Sequence, residues 1–233
     1  MRHVPPQSVA SATEDLPLKV WDVPTRLAHW AIVLLFGVSW LTAEQGWITW
    51  HRLSGSSMLC VVLFRLFWGV WGSDTARFAQ FVRGPRKVGA YVGRLLRGKK
   101  GPAGLGHNPL GAWSVVAMLG LLLLQAGLGL FAVDEYGIEG GPLAQHLSFE
   151  GARQVAAIHE AVFDLLLVVV ALHACAVVAH LVIGGDNLVG PMITGRRRAG
   201  PGPAQPPAMA PSGRAAVGFV AIAAAVAALA FFG

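Results

Sequence analysis

Apolar residues along this chain gather into long runs separated by short polar stretches, and each run is long enough to cross a hydrocarbon core of ~30 Å. The runs predict membrane spans over about residues 25–44, 51–71, 109–131 and 155–183. An Ala-rich stretch from Ala215 to Phe232 is just long enough for a fifth. A different pattern occupies the 72–108 stretch. From Pro85 onward, Val88, Tyr91, Val92, Leu95 and Leu96 face one way and Arg86, Lys87, Arg94 and Arg97 another, which predicts a helix lying in the membrane surface.

The expected fold class is therefore all-α: an integral membrane four-helix bundle with a fifth C-terminal transmembrane helix. Apolar residues make up 55% of the chain and charged residues 13%, which supports that assignment; 233 residues leave room for one bundle and short tails but for no separate soluble catalytic domain. Residues 1–17 are polar and Pro-containing, lack the early apolar core of a cleavable signal peptide, and read as a disordered cytoplasmic tail. Residues 18–197 hold the four-helix domain. A Pro-rich linker over 198–214 then leads to the extra helix over 215–233.

Charge fixes the expected orientation. Fifteen of the Lys and Arg residues fall in the first tail, the 72–108 loop and the last linker, whereas the other side has Arg52 and Arg153 near helix ends and the acids Asp134, Glu135, Glu139 and Glu150. Cytoplasmic loops carry the basic excess, so the N-terminus is expected inside the bacterial cytoplasmic membrane and the second and fourth spans begin outside. The net charge of +6 is explained by topology and anionic lipid, and nucleic acid is discarded as a partner.

Two histidines fourteen residues apart, His159 and His173, lie in the fourth apolar run. Fourteen residues advance a helix by ~21 Å and return to within ~40° of the starting face, so both imidazoles project the same way at two depths. Polar rings inside lipid are costly and need a partner or ligand. Depth pairs them: His51 with His159 near the outer surface, His29 with His173 near the inner one. The spacing suggests two stacked haems, each held by two histidines. Arg65, fourteen residues after His51, shares that helix face at the inner depth; it either pairs with a haem propionate or snorkels to the inner surface. Arg26 is a second candidate at the inner rim. Gly55, one turn after His51, would let a flat macrocycle lie close to the backbone, although small residues also serve helix packing, and Gly127 and Gly129 carry the same ambiguity.

Other polar residues in the spans have plainer readings. His3 and His146 read as interfacial, and His107 stands beside Asn108 and Pro109, an N-cap and first-turn proline for the third span. His180, seven residues beyond His173, competes with it as inner ligand or is an interfacial residue. Asp164 belongs to an outer proton or donor site, or sits shallow. Cys60 and Cys175 form no Cys-x-x-Cys-His motif, so any haem is non-covalent, and neither a disulfide nor an iron–sulfur cluster is expected.

Several motifs together resemble the bacterial cytochrome b561 and nickel-hydrogenase cytochrome b subunit family. They are Val20-Trp21-Asp22-Val23-Pro24-Thr25-Arg26-Leu27-Ala28-His29-Trp30, His51 with Gly55, Phe64-Arg65-Leu66-Phe67-Trp68-Gly69, Phe81-Val82-Arg83-Gly84-Pro85, Gly106-His107-Asn108-Pro109, His159-Glu160, Leu172-His173 and Asn187-Leu188. The resemblance covers about residues 18–197 and departs at Asp164 and the fifth helix. It implies two b-type haems ligated by His29, His51, His159 and His173, and electron transfer between a periplasmic cytochrome or dehydrogenase partner and quinone. In stand-alone members, a histidine at the position of His180 looks like part of the quinone pocket. Three functions stay open: an electron-carrying cytochrome, an enzyme such as a superoxide:quinone oxidoreductase, and a membrane protein whose histidines bind a metal for transport. The alanines of the fifth helix allow close packing with a partner or a second copy in a homo-oligomer.

Overall fold

In the computed structural model, residues 17–95, 97, 108–198 and 206–232 are described. The helices are α1 (Val23–Glu44), α2 (Ile48–Trp71), α3 (Phe78–Phe81), α4 (Pro85–Leu95), α5 (Pro109–Gly129), α6 (Phe149–Val182), α7 (Val189–Thr194) and α8 (Ser212–Phe232). Five of them, α1, α2, α5, α6 and α8, are long and apolar enough to cross a membrane. Large apolar side chains stay exposed on all five, among them Leu34, Leu53, Leu124, Val168 and Val217. Lipid is the surrounding that covers such faces without cost.

The chain ends of the helices explain where each begins. Asp22 caps α1 by accepting the Thr25 amide at 2.7 Å, with Pro24 in the first turn. Asn108 caps α5 by accepting the Gly111 amide at 2.7 Å, with Pro109 as its first residue. Both pairings use proline where a helix lacks amide partners anyway. The tight turn between α1 and α2 needs Gly46, whose φ of 66° lies in the left-handed region.

The fourth span starts earlier than the apolar pattern predicts. Ser148 caps α6, its hydroxyl accepting the Gly151 amide at 3.2 Å, so the helix runs for 34 residues. At ~1.5 Å per residue that is ~51 Å, well beyond a ~30 Å core. The first turns, with Glu150, Arg153 and Gln154, therefore rise out of the hydrocarbon, where polar residues do not interrupt a helix. Asp164 is exposed on the N-terminal half of α6.

The central helix is α2, which packs against α1, α5 and α8. Met58 and Val62 meet Leu119 and Leu122 of α5 and Leu166 of α6 in the mid-bundle core. Toward the inner end, Phe64 and Trp68 meet Ala28 of α1, Ala76 of the turn after α2, and Ala215 of α8. Two small residues of α8, Ala215 and Gly218, thus serve packing within the chain: Gly218 lies so close to Phe67 that a Cβ there would fall 2.3 Å from the ring.

α6 packs side by side on α5 and approaches α1 and α2 through side-chain tips, with Phe163 stacked on Phe36 at 5.8 Å. Half of the apolar window of α2 is buried but only 6% of that of α6, so protein leaves most of α6 uncovered.

The amphipathic stretch from Pro85 forms α4; of its predicted apolar face, Leu96 and the Leu95 side chain lie outside the described residues. Val88, Tyr91 and Val92 are half-buried, Arg86, Lys87, Arg94 and Arg97 are exposed, and the Trp113 indole of α5 donates to the Arg83 carbonyl at 2.8 Å. A feature the hydrophobic pattern does not announce is a two-stranded antiparallel sheet, β1 (Pro17–Lys19) with β2 (Arg196–Arg198), which ties the N-terminal approach to the segment after α6. Pro17 is therefore paired rather than part of a free tail; residues 1–16, with His3, and residues 98–107, with His107, lie outside the described residues.

Candidate functional site

At the end of the bundle where α2 begins, the end expected outside, two helices deliver imidazoles toward each other. His51, in the first turn of α2, and His159, in α6, have ring centroids 6.1 Å apart and planes at 88°. His51 Nδ1 lies 2.9 Å from the Ser39 carbonyl oxygen of α1, and His159 Nδ1 lies 2.9 Å from the Gln125 carbonyl oxygen of α5. A carbonyl can only accept, so each Nδ1 carries the proton and donates. Each Nε2 is then a free lone pair, the state of a metal-ligating histidine whose other nitrogen is held by a backbone oxygen.

The Ser39 carbonyl is itself fixed. It also accepts the Thr42 hydroxyl at 3.1 Å, while the Ser39 hydroxyl donates to Ser54 at 2.8 Å and Ser54 donates to the His51 carbonyl at 3.0 Å. Gly129 stands close to the other imidazole: a Cβ there would lie 3.1 Å from His159 Cε1. Beside Gly55 and Gly127, by contrast, a Cβ would meet nothing within 4 Å. The three glycines, alike in sequence, thus separate into one that gives room to an imidazole and two that border open space.

At the inner end, His29 of α1 lies within electrostatic range of both His173 of α6 and Arg65 of α2. The Nδ1 of His29 is buried with no hydrogen-bond partner among the described residues. A buried orphan nitrogen of this kind needs an absent partner to explain it. Arg65 is 6% exposed; its Nη1 donates to the Ala76 carbonyl at 3.3 Å and its guanidinium stands 5.2 Å from the Phe78 ring centroid. It reaches toward the inner turn, as a snorkelling residue would, but is sealed from water there. Arg26 donates to the Ile193 carbonyl through Nη1, while its Nε is buried without a partner among the described residues.

His180 turns its Nδ1 back to its own helix, 2.9 Å from the Ala176 carbonyl oxygen. His146 is exposed in a short 3-10 turn over Ala144–His146. Cys60 is buried and Cys175 exposed, and both are free thiols.

Sequence reasoning passes over Asp22, which is 4% exposed and accepts from the Trp68 indole at 2.9 Å as well as capping α1. It also passes over Ser39 and Gln125, whose contribution is a backbone carbonyl that no side-chain pattern encodes. The buried Asp22 could have been found from its place directly before Val23-Pro24, a capping position.

The residues fit a haem. With metal–imidazole bonds of ~2.0 Å, two rings coordinating one ion from opposite sides have centroids roughly 6 Å apart, and His51 and His159 stand at 6.1 Å. Among the described residues no group of three or more His, Cys, Asp or Glu could hold a metal ion. A two-imidazole site of this kind suits an ion whose remaining positions a macrocycle fills. Open space beside Gly55 and the little-covered flank of α6 leave room for one.

Imidazoles brought together between membrane-length helices are an arrangement that suits a membrane cytochrome. The chain belongs to the prokaryotic cytochrome b561 family, whose family model matches residues 20–195. It is accordingly a multi-pass membrane protein of electron transport that binds haem b. Comparison with curated proteins and with solved structures gives no match. The matched stretch ends at Gly195, so α8 and its lead-in lie outside it.

Proposed function

We propose that the chain carries electrons across the bacterial cytoplasmic membrane through two b-type haems, the outer held by His51 and His159 and the inner by His29 and His173, between a periplasmic protein donor and the quinone pool. The observation that carries the reading is the His51–His159 pair, with centroids 6.1 Å apart and both Nδ1 atoms committed to carbonyls. When bound, each haem supplies a one-electron centre whose two axial positions are filled, which favours electron passage over oxygen binding.

The protein's own part is positioning. α6 sets His159 and His173 at two depths, ~21 Å apart along one helix face. Charge displaced over such a depth gains or loses ~2.3 kcal/mol per 100 mV when it crosses the full field. The Ser39 and Gln125 carbonyls hold the outer rings in the Nε2-ligating tautomer. Arg65 and Arg26 bring positive charge to the inner end, suited to haem propionates. His180, beyond the inner pair on α6, faces the quinone end, its Nδ1 tied to Ala176.

A protein donor is favoured over superoxide by the charge of the outer end. Glu44, Glu135, Glu139, Glu150 and Glu160 are exposed there against Arg52 and Arg153. Such a surface repels an anionic reductant and steers a cationic one. The basic excess at the opposite end supports a cytoplasmic N-terminus.

The test is a haem count with reduced-minus-oxidised spectra on the wild type, His159→Ala and His173→Ala. The reading expects ~2 haems per chain from two bis-imidazole pairs, and loss of a different haem in each variant. An unchanged count in both variants would refute the ligand assignment.

A further inference from the structure

We propose that the C-terminal segment, residues 206–232, is a latch that positions Arg65 against the inner histidine pair and thereby sets the reduction potential of that site. The inference rests on the two-haem reading above and assigns a role to a part of the chain that the family match does not reach.

The argument follows a chain of contacts from α8 inward. Arg214, in the first turn of α8, donates to the Trp71 carbonyl at the end of α2 at 3.0 Å. Just before α8, the Ala210 amide donates to the Ser73 hydroxyl at 2.9 Å. The Ala208 amide donates to the Asp74 carboxylate at 2.9 Å, and the Asp74 amide donates back to the Ala208 carbonyl at 3.0 Å. Three bonds therefore fasten the turn after α2 to the lead-in of α8, and a fourth ties α8 itself to the end of α2. Ser73 is 1% exposed, so its hydroxyl depends on this partner rather than on water.

The same turn carries the Ala76 carbonyl that receives Arg65. Ala76 is fully buried in one cluster with Ala215 of α8 and with Phe64 and Trp68, the residues flanking Arg65 on α2. On its other side the turn is held to the N-terminal approach, where the Thr75 hydroxyl donates to the Val20 carbonyl at 2.6 Å. Arg65, in turn, follows Phe64, which shares that buried cluster with Ala28 of α1, the residue directly before His29, so the two side chains stand at one level of the bundle. A buried cation near a redox centre favours the reduced form and raises its potential. If the lead-in lets go, the Ala76 carbonyl loses its fixed direction and the guanidinium its fixed place. The outer pair, ~21 Å along the bundle, does not feel this movement.

The test uses the full chain and a redox titration of both haems. Ala208→Pro with Ala210→Pro deletes two amide donors while leaving every charge in place, in a segment that already carries Pro206, Pro207 and Pro211. The expected result is ~2 haems retained, one midpoint lowered, and that midpoint the same one lowered by Arg65→Gln, with the other unchanged. Ser73→Ala, a milder variant, should lower the same midpoint. Midpoints unmoved in the double-proline variant while Arg65→Gln lowers one would overturn the latch and leave the two-haem reading standing. Haem lost from the double-proline variant with Ser73→Ala silent would show a structural prop only and would overturn it too. Should Arg65→Gln move neither midpoint with both haems bound, Arg65 does not act on the inner site and the proposal fails. A wild type holding fewer than two haems would instead remove the reading beneath it.

Discussion

Gly129→Ala probes the outer ligand without touching it. The added methyl carbon would sit 3.1 Å from Cε1 and 3.5 Å from Nδ1 of His159, whereas carbon contacts settle at ~3.5–4.0 Å. The ring must yield by a few tenths of an ångström, yet its Nδ1 is held 2.9 Å from the Gln125 carbonyl oxygen. Metal–ligand distances tolerate only ~0.2 Å, so either the iron bond or the supporting hydrogen bond is strained. Loss of such outer support lowers metal affinity ~10–100-fold, which at ~1.4 kcal/mol per decade is ~1.4–2.8 kcal/mol. The assay is transfer of each haem from purified protein to an excess of a haem-scavenging apoprotein, followed by difference spectra. The haem absent from His159→Ala should dissociate ~10–100-fold more readily in Gly129→Ala, and the other should not change. Gly127→Ala, two residues earlier and with nothing within 4 Å of the new methyl, is the matched control and should be silent. Equal behaviour of the two alanine variants, or loosening of the inner haem alone, would refute the reasoning.

Two further outcomes follow from the inner end. Trp68→Phe removes the indole donor to Asp22, leaving one oxygen of a carboxylate that is 4% exposed without its 2.9 Å bond, and also removes one ring from a fully buried side chain; a loss of at least ~1–3 kcal/mol is expected in reversible unfolding in mild detergent, and a change within error would show that other groups take over both the bond and the space. Asp74, in the turn after α2, has its carboxyl held below the usual range, first by the Ala208 amide and then by Arg77. A depressed folded value means that this contribution to folding is fully present above the unfolded carboxyl value of ~3.9 and is lost as pH falls through the lower folded one. Amide exchange at Ala208, corrected for its intrinsic pH dependence, should lose protection on acidification below about pH 4, and protection that persists at the acid end would contradict the assignment.

The number and placing of the membrane helices were written in the sequence, because lipid demands long apolar runs and leaves little choice of what to do with them. Caps are equally local in origin: Asn108 before Pro109 starts α5 at the expected position, whereas Asp22 before Val23-Pro24, passed over in the sequence, starts α1 two residues ahead of it. The start of α6 was less legible, since Glu150, Arg153 and Gln154 break the apolar pattern while Ser148 still caps the helix above the membrane. The histidine spacing on α6 was also a property of one helix, so the two depths could be read before any packing was known. Which nitrogen of each outer imidazole is free could not, because the deciding partners, the carbonyls of Ser39 and Gln125, arrive from α1 and α5 and carry no side-chain signature. Nor could sequence tell Gly129 from Gly127, which differ only in what stands opposite them. The sheet between Pro17–Lys19 and Arg196–Arg198 and the clasp of Ser73 and Asp74 on the lead-in of α8 join segments far apart in the chain. Local pattern is set by neighbours within a turn or two, whereas these contacts exist only once the helices have packed and brought distant backbone into hydrogen-bonding range.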